Sequence, residues 1–127
     1  MLSFKDYHNK TLNEESTPSF EPGFKTFRHG KTSIDYSINP RQPKQAEIHM
    51  VLTDKDEAGK GSARKAMGEF LKHSDRNGVR THLTPEPLTP DVKKTKLTNF
   101  YQSLGYKPNK GKNKDFTVRS THIREPQ

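Results

Sequence analysis

The sequence contains one short segment whose residue types are suited to binding a phosphate group, Gly59-Lys60-Gly61-Ser62-Ala63. Glycines allow backbone amides to approach a ligand without an intervening side chain. A helix is predicted to begin directly after the second glycine, and its positive dipole end would point at the same ligand. Lys60 adds a full positive charge. The turn is therefore predicted to hold a phosphate or pyrophosphate group through several N–H donors.

Spacing excludes two common phosphate-binding motifs at this turn. A Walker loop requires a glycine five residues before Gly59 and Ser or Thr directly after Lys60, but Asp54 and Gly61 occupy those positions. The dinucleotide fingerprint requires Gly or Ala where Arg64 stands. A loop that contains two glycines and binds nothing remains the alternative interpretation.

The strands that position the turn can be predicted from hydrophobic alternation. Residues 24–28 and 32–38 flank a His29-Gly30-Lys31 turn and are predicted to form an antiparallel hairpin. Residues 46–52 are predicted to form a third, half-buried strand that leads into the glycine-rich turn. The buried face of this strand is predicted to carry Ile48, Met50 and Leu52, and the other face Glu47, His49 and Val51.

Two amphipathic helices are predicted after these strands. The first has an apolar stripe at helical spacing and is predicted to end at Asn77-Gly78. A strand at 79–83 follows, and this strand-helix-strand order predicts a parallel pair with a crossover helix. The second helix is predicted to begin at Thr89-Pro90 and to end at Gly105. The stripe residues are Ala63, Ala66, Met67, Phe70 and Leu71 in the first helix and Leu97, Phe100, Tyr101 and Leu104 in the second.

Final strands are predicted at 106–108 and 116–121, on either side of a basic loop at 110–114. The predicted fold class is mixed α/β, with a central mixed sheet of five or six strands and two main helices. The chain length of 127 residues suits one domain, which is predicted to span residues 24–127 after a polar arm of residues 1–23.

Composition narrows the function further. The sequence has no cysteine, which excludes disulfides and a cysteine nucleophile, and it has no apolar run long enough for a membrane span. Its histidines lack metal-ligand spacing, so no metal site is predicted. We expect a soluble cytoplasmic protein. The net charge of +8 is uneven, because residues 54–127 hold 16 Lys and Arg against 9 Asp and Glu. This excess favours an anionic partner, which could be nucleic acid, an acidic protein surface or a phosphate-rich cofactor.

The order of these features resembles the GCN5-related N-acetyltransferase (GNAT) family, in the small form that some phages encode. The resemblance covers about residues 24–121. It rests on the glycine-rich turn and on the segment Phe100-Tyr101-Gln102-Ser103-Leu104-Gly105-Tyr106, which is similar to the family's aromatic pair before a Leu-Gly-aromatic turn. Gly61-Ser62-Ala63 matches the second half of the family's pyrophosphate motif, but Ala58 stands where that motif begins with Gln or Arg.

The resemblance implies a GNAT-like sheet and an acyl-CoA-dependent N-acetyltransferase that moves the acetyl group of acetyl-CoA to an amine by direct attack. A protein lysine is one candidate amine. The implied cofactor-binding residues are those of the turn and of the third strand, which pairs with the pantetheine arm in this family. They are Met50, Val51, Leu52, Ala58, Gly59, Lys60, Gly61, Ser62 and Ala63.

The resemblance also implies catalytic roles. Tyr101 stands where many members keep a tyrosine that protonates the departing thiolate, although a core tyrosine would fit the same stripe. Deprotonation of the acceptor amine requires a base, and Glu47, or else His49, is the candidate on the third strand. A second hypothesis is an inactive GNAT-fold protein that serves as a binding or assembly component of a virion or nucleoprotein. If a phage encodes the chain, we expect it in the host cytoplasm or the virion.

Overall fold

The computed structural model describes residues 17–57, 59–90 and 92–127. In these ranges a six-stranded sheet has the order β1-β2-β3-β4-β6-β5. The strands are β1 Gly23–His29, β2 Thr32–Ile38, β3 Gln45–Thr53, β4 Arg80–Leu83, β5 Lys107–Pro108 and β6 His122–Arg124. The helices are α1 Ser62–Arg76 and α2 Lys94–Ser103, and a single 3-10 turn covers Lys55–Glu57. The predicted mixed α/β class, with six strands and two main helices, is confirmed.

The first two strands form the antiparallel hairpin that the sequence predicts, in a register that places Phe24 opposite Ser37. Gly30 supplies the left-handed backbone of the turn, with φ of 59°. Strands β3 and β4 are parallel, and α1 forms the crossover between them. No helix in the described ranges has the length and apolar character that a membrane span needs.

A β-bulge at His49 changes which side chains of β3 are buried. Asp35 of β2 lies opposite Met50, but the next residue, Tyr36, lies opposite Ile48, so His49 is an extra residue on β3. An extra residue reverses the inward and outward faces of the strand beyond it. Ile48 is buried, whereas Met50 and Leu52 are 40% and 51% exposed. The prediction that Met50 and Leu52 share the buried face of Ile48 was therefore wrong.

Helix α1 packs its apolar stripe against one face of the sheet. Phe70 is fully buried, and its ring centroid lies 4.8 Å from that of Tyr36 and 6.1 Å from that of Phe27. The helix ends where predicted, because Asn77 is its C-cap and Gly78 takes a left-handed φ of 65°. The core around Phe70 thus holds β1, β2 and α1 together.

Helix α2 begins later than the sequence predicts. It starts at Lys94 rather than at Thr89-Pro90. The Val92 N–H instead donates to the Thr89 carbonyl at 3.2 Å, so Pro90 occupies the second position of a separate turn. A proline there satisfies the φ of a tight turn as well as that of a helix start, and spacing alone does not distinguish the two.

The last strand also lies elsewhere than predicted, at His122–Arg124 rather than at 116–121. The side chains of Asn109 and Asp115 bind the backbone of the predicted segment in place of a strand. Asp115 Oδ1 accepts the Thr117 N–H at 2.8 Å, and Asn109 Nδ2 donates to the Asp115 carbonyl at 3.0 Å. These local bonds compete with ladder formation. Regular pairing therefore begins only at His122, which lies between Leu83 and Pro108.

The predicted arm lies mostly outside the described residues, and its boundary stays a prediction. Its described end contacts the domain. The Phe20 ring lies 5.8 Å from that of Phe70, and the Tyr36 hydroxyl donates to the Ser19 carbonyl at 2.7 Å. Burial raises the pKa of Tyr36 to about 12, although the hydrogen bond to Ser19 acts in the opposite direction.

A buried ion pair ties the C-terminal strand to the end of α1. The Arg124 guanidinium donates to both carboxylate oxygens of Asp75, at 2.6 and 3.0 Å, and its Nε donates to the Leu104 carbonyl at 2.8 Å. Burial of Asp75 raises its pKa, but the hydrogen bonds and charge of Arg124 outweigh burial and leave the pKa below its ordinary value. The Gln127 N–H also donates to Asp75, at 3.0 Å.

We expect the substitution Asp75→Asn to lower the free energy of unfolding by about 3 kcal/mol, because it leaves the Arg124 guanidinium buried without a counter-charge. Urea unfolding followed by circular dichroism measures the change. The control is Glu69→Gln, which removes the exposed pair with Lys72 and should cost less than about 1 kcal/mol. Equal losses in the two variants would contradict this role for Asp75.

Candidate active site

A cleft opens where the parallel strands β3 and β4 part. Their ladder runs only from Gln45 opposite Arg80 to Glu47 opposite His82, although β3 continues to Thr53. Two local features end the ladder. The bulge redirects β3 at His49, and the segment after β4 contains Pro85 and Pro87, which have no N–H to donate.

The cleft holds a cavity of about 220 Å³ with three walls. One wall is β3 from Ile48 to Val51, the second is the segment from Leu83 to Leu88, and the third is formed by Val92, Leu97 and Tyr101. Beyond Glu47, the edge of β3 that faces this cavity has no ladder partner in the part of the chain that is described. An extended ligand could therefore pair with that edge as an added strand.

Tyr101 is the one residue with a phenol among the described residues that line the cavity. Its ring lies edge-on to those of Phe100 and Tyr106, with centroids 5.1 and 5.8 Å away, and these contacts fix its direction. Its hydroxyl makes no hydrogen bond to any other described residue. Burial raises the pKa of Tyr101 to about 12. The phenol is therefore protonated at neutral pH, and its proton is not taken up by a hydrogen bond to another described residue.

The two base candidates from the sequence lie in different places. His49 lines the same cavity as Tyr101, and Glu47 does not. Glu47 lines a separate polar hollow of about 320 Å³ with His82 and Arg119. The two side chains still meet, because His49 Nδ1 lies 3.8 Å from a Glu47 carboxylate oxygen. Ser37 Oγ, at 2.7 Å, shares a hydrogen bond with His49 Nε2.

Sequence reasoning missed a carboxylate at the cleft. Glu86 lines the cavity between Pro85 and Pro87, and its residue is exposed. Its position follows from the direction of the chain after β4, which no periodic pattern in the sequence reveals. The one signal in the sequence was Pro85-Glu86-Pro87 itself, because a residue that precedes proline is restricted to extended backbone.

The glycine-rich turn has the backbone geometry of an anion site. Gly59 and Gly61 have φ of 81° and 82°, and a Cβ at either position would meet no atom within 4 Å. The first helical bond of α1 runs from the Lys65 N–H to the Gly61 carbonyl. The N–H groups of Ser62 and Ala63 therefore lack an intrahelical acceptor, and the first turn of α1 carries no acidic residue. Ala58 lies outside the described residues.

A carboxylate already contacts this turn. Glu57 lies 3.6 Å from Lys60 Nζ and accepts a hydrogen bond of 3.4 Å from Ser62 Oγ. The charge of Lys60 is therefore shared with Glu57 rather than fully available to a ligand. The sequence did not reveal this contact, since it depends on the 3-10 turn that brings Glu57 back toward the helix.

The turn and the cleft are connected through Arg64, a second residue that sequence reasoning missed. Arg64 Nη2 donates to Ser103 Oγ at 3.0 Å, and its guanidinium carbon lies 5.0 Å from the Phe100 ring centroid. These contacts join the first turn of α1 to the residues that flank Tyr101 on α2. Met50 and Val51 line the cleft cavity as well, whereas Leu52 lies outside its lining.

Comparisons with known proteins identify the fold. No protein-family model matches the sequence, and no curated protein matches it. Among solved structures, the anti-CRISPR protein AcrVA5 matches with a TM-score of 0.60 and 17% identity, over 80% of this chain and 96% of that one.

Two further solved structures match over nearly the whole chain. The ribosomal-protein-S18-alanine N-acetyltransferase from Escherichia coli has a TM-score of 0.53 and 16% identity, over 96% of this chain and 86% of that one. A protein of Bacteroides thetaiotaomicron described as an acetyltransferase of the GNAT family has a TM-score of 0.54 and 13% identity, over 95% of this chain and 80% of that one. The chain therefore has the fold of the GNAT acetyltransferases.

The contacts of Glu57 generate a prediction about the turn. The substitution Glu57→Gln should increase the affinity for inorganic pyrophosphate several-fold, because it releases Lys60 and removes a like charge from the site. Shifts of the Gly59 and Gly61 amide signals during an NMR titration measure this affinity. Glu69→Gln removes a similar pair near the middle of α1 and should leave the affinity unchanged. Weaker binding by Glu57→Gln would show that Glu57 supports the turn instead of opposing anions.

Proposed function

We propose that the protein is an acetyl-CoA-dependent N-acetyltransferase. The observation that carries the proposal is the cleft between β3 and β4, whose cavity is lined by both Tyr101 and His49. The Tyr101 phenol is protonated at neutral pH and makes no hydrogen bond to another described residue. The glycine-rich turn begins α1, and Arg64 in the first turn of that helix contacts Phe100 and Ser103 of α2. This arrangement supports a proton donor and a proton acceptor on one reacting centre, together with an anion site for the carrier of the acyl group.

The described residues fit coenzyme A as a co-substrate. The pyrophosphate would be held by the N–H groups of Ser62 and Ala63 and by the helix dipole of α1, with Gly59 and Gly61 leaving the approach open. The pantetheine arm would pair with the free edge of β3 beside Met50 and Val51. Bound acetyl-CoA supplies the acetyl group as a reactive thioester, and the cleft cavity has room for that end of the molecule.

Tyr101 acts as the general acid in this proposal. A phenol with a pKa of about 12 keeps its proton in the resting enzyme and remains available as a donor at neutral pH. A thiolate leaving group is a weaker base than this phenolate, so a close approach and a hydrogen bond are needed for transfer. The ring contacts with Phe100 and Tyr106 hold the hydroxyl in place for that approach.

His49 accepts the proton of the acceptor amine, and Glu47 is a positioning residue. An amine must lose its proton before it can attack, and a lysine ammonium has an ordinary pKa of about 10.4. Ser37 fixes one ring nitrogen of His49, and the Glu47 carboxylate lies near the other. A carboxylate in that position stabilises the imidazolium that forms when His49 accepts a proton.

The acceptor is a protein amine, and a lysine side chain fits best. Glu86, exposed at the cleft, attracts an ammonium group, and the cavity is open to an incoming chain. A partner that presents this amine would meet a strongly basic surface formed by the second half of the chain. We therefore propose that the acceptor protein is acidic or is bound to nucleic acid. A cytoplasmic location and a phage origin remain predictions from the sequence.

The first test is calorimetric binding of acetyl-CoA to the natural chain and to a matched pair of variants. Asn and Asp both tolerate the left-handed backbone of Gly61, and they differ in charge but not in size. Gly61→Asn should bind within a few-fold of the natural chain. Gly61→Asp should bind at least about tenfold more weakly, because its carboxylate repels the phosphates.

The Gly61 pair also defines what would oppose the proposal. Asn and Asp carry the same left-handed backbone strain at this position, so Gly61→Asp should unfold at the same temperature as Gly61→Asn. Weaker binding by Gly61→Asp therefore does not reflect misfolding. Absence of acetyl-CoA binding in all three proteins would instead favour a GNAT-fold binding protein without catalysis.

The second test separates chemistry from binding at Tyr101. Tyr101→Phe should lower the rate of CoA release with lysine peptides at least about 100-fold and leave the affinity for acetyl-CoA nearly unchanged. Tyr36→Phe is the control, since it removes another buried hydroxyl that does not line the cleft, and its turnover should be normal. Equal turnover in Tyr101→Phe and the natural chain would remove Tyr101 from the mechanism.

A further inference from the structure

The basic hairpin, defined as residues 107–119, consists of β5 and most of the loop that leads to β6. Its five cations are all exposed, and none is in an ion pair with another described residue: Lys107, Lys110, Lys112, Lys114 and Arg119. The single acidic residue of the hairpin is Asp115, and its carboxylate pairs with Arg80 instead. The positive charge of the hairpin is therefore not neutralised from within the described part of the fold.

The positive surface continues onto the start of α2. Burial is the main cause that lowers the pKa of His122, and the charges of Lys110 and Lys94 lower it further. Two lysines from different elements therefore act on one imidazole. Lys94 is the first residue of α2 and is exposed. The field thus comes from a surface that includes both the hairpin and the helix start.

An exposed aromatic ring lies among these cations. Phe116 is 83% exposed, and the ammonium of Lys114 lies 5.2 Å from its ring centroid. The Phe116 ring makes no ring-to-ring contact with any other residue in the described ranges, so packing there does not explain its presence. Its face is available to a planar ligand, and the nearby ammonium would meet any phosphate that accompanies that ligand.

Hydrogen bonds hold the hairpin in this shape. Asn109 bonds across the loop to Asp115 in both directions, through Oδ1 at 2.8 Å and Nδ2 at 3.0 Å. Hydrogen bonds from Thr117 and Arg80 lower the pKa of Asp115 to about 2, so these contacts persist at neutral pH. Lys114 N–H donates to the Gly111 carbonyl at 3.2 Å. The backbone that carries Phe116 and the lysines is therefore already ordered before a ligand binds.

We propose that the basic hairpin binds single-stranded nucleic acid, with a base stacked on Phe116 and the adjacent phosphates on Lys110, Lys112 and Lys114. The unstacked bases of a single strand offer faces to an aromatic ring, whereas duplex bases are already stacked on one another. An acidic peptide without aromatic or apolar groups, such as polyglutamate, would use the same lysines but would not stack on the ring. The contribution of Phe116 therefore distinguishes stacking of a base from purely electrostatic binding.

Fluorescence anisotropy with labelled oligothymidine and oligouridine of about twelve nucleotides tests the proposal. A duplex of the same length and a polyglutamate peptide serve as the competing anions. The natural chain should bind both single strands more tightly than the duplex or the peptide. Affinity should fall steeply with salt, as expected when several lysines contact phosphates. Oligothymidine and oligouridine should bind alike, since the proposed contacts do not read the 2′-hydroxyl.

Two sets of variants separate stacking from charge. Phe116→Ala should weaken single-strand binding about tenfold and leave duplex binding unchanged. The control is Phe24→Ala, which removes an equally exposed ring, 87% accessible, from β1. Gln at Lys110, Lys112 and Lys114 together should reduce the slope of log affinity against log salt by about two. The same change at Arg28, Lys31 and Lys55, which are exposed elsewhere, should reduce it less.

The proposal fails if Phe116→Ala binds single strands as tightly as the natural chain, or if the duplex or the polyglutamate peptide binds as well as the single strands. Absence of binding at low salt would also refute it. All hairpin variants are surface changes, so circular dichroism should show an unchanged unfolding temperature. Their affinity for acetyl-CoA should be unchanged as well, and this measurement keeps the hairpin proposal separate from the proposed enzymatic function.

Discussion

The short parallel ladder between β3 and β4 is the constraint on which the rest of the site depends. The crossover helix α1 forces the two strands to lie side by side, and they pair over three residues before they part. The bulge at His49 and the prolines after β4, which lack an N–H, oppose longer pairing. The cleft of the candidate site begins where this ladder ends. Tyr101 contributes to one wall of the cleft, and the free edge of β3 forms another.

An open cleft has a stability cost that the other half of the fold offsets. Met50, Leu52 and Leu88 are exposed near it, and the free edge of β3 leaves backbone groups to water or ligand. Two well-packed regions away from the cleft offset this cost. The Phe70 cluster joins α1 to β1 and β2, and the Arg124 network joins β6 to both helices. Rigid packing around an unpaired strand edge is the arrangement that pre-organises a binding site without closing it.

The fold and the site were predictable to different extents for a physical reason. The stripe around Phe70, the glycine-rich turn and the alignment of Tyr101 depend on residue spacing within one element, and the sequence contains that spacing. The bulge at His49 has no composition signal, so the exposure of Met50 could not be predicted. Thr89-Pro90 suits a turn and a helix start equally. Glu86, Arg64 and the pairing of His49 with Ser37 depend on contacts between elements, which spacing does not determine.

The basic hairpin and the candidate active site share part of the sheet, and this relates the two proposals. The end of the hairpin, Thr117 to Arg119, lines the polar hollow that also contains Glu47, two residues from His49. A partner held on the hairpin would therefore remain near the entrance to the cleft. Tethering raises the effective concentration of any amine on that partner without a new contact at the reacting centre. Acetylation removes the positive charge of a lysine and hence its attraction for nucleic acid. An acceptor delivered on a nucleic-acid strand would lose part of its hold on that strand once modified, and this loss would favour release of the product.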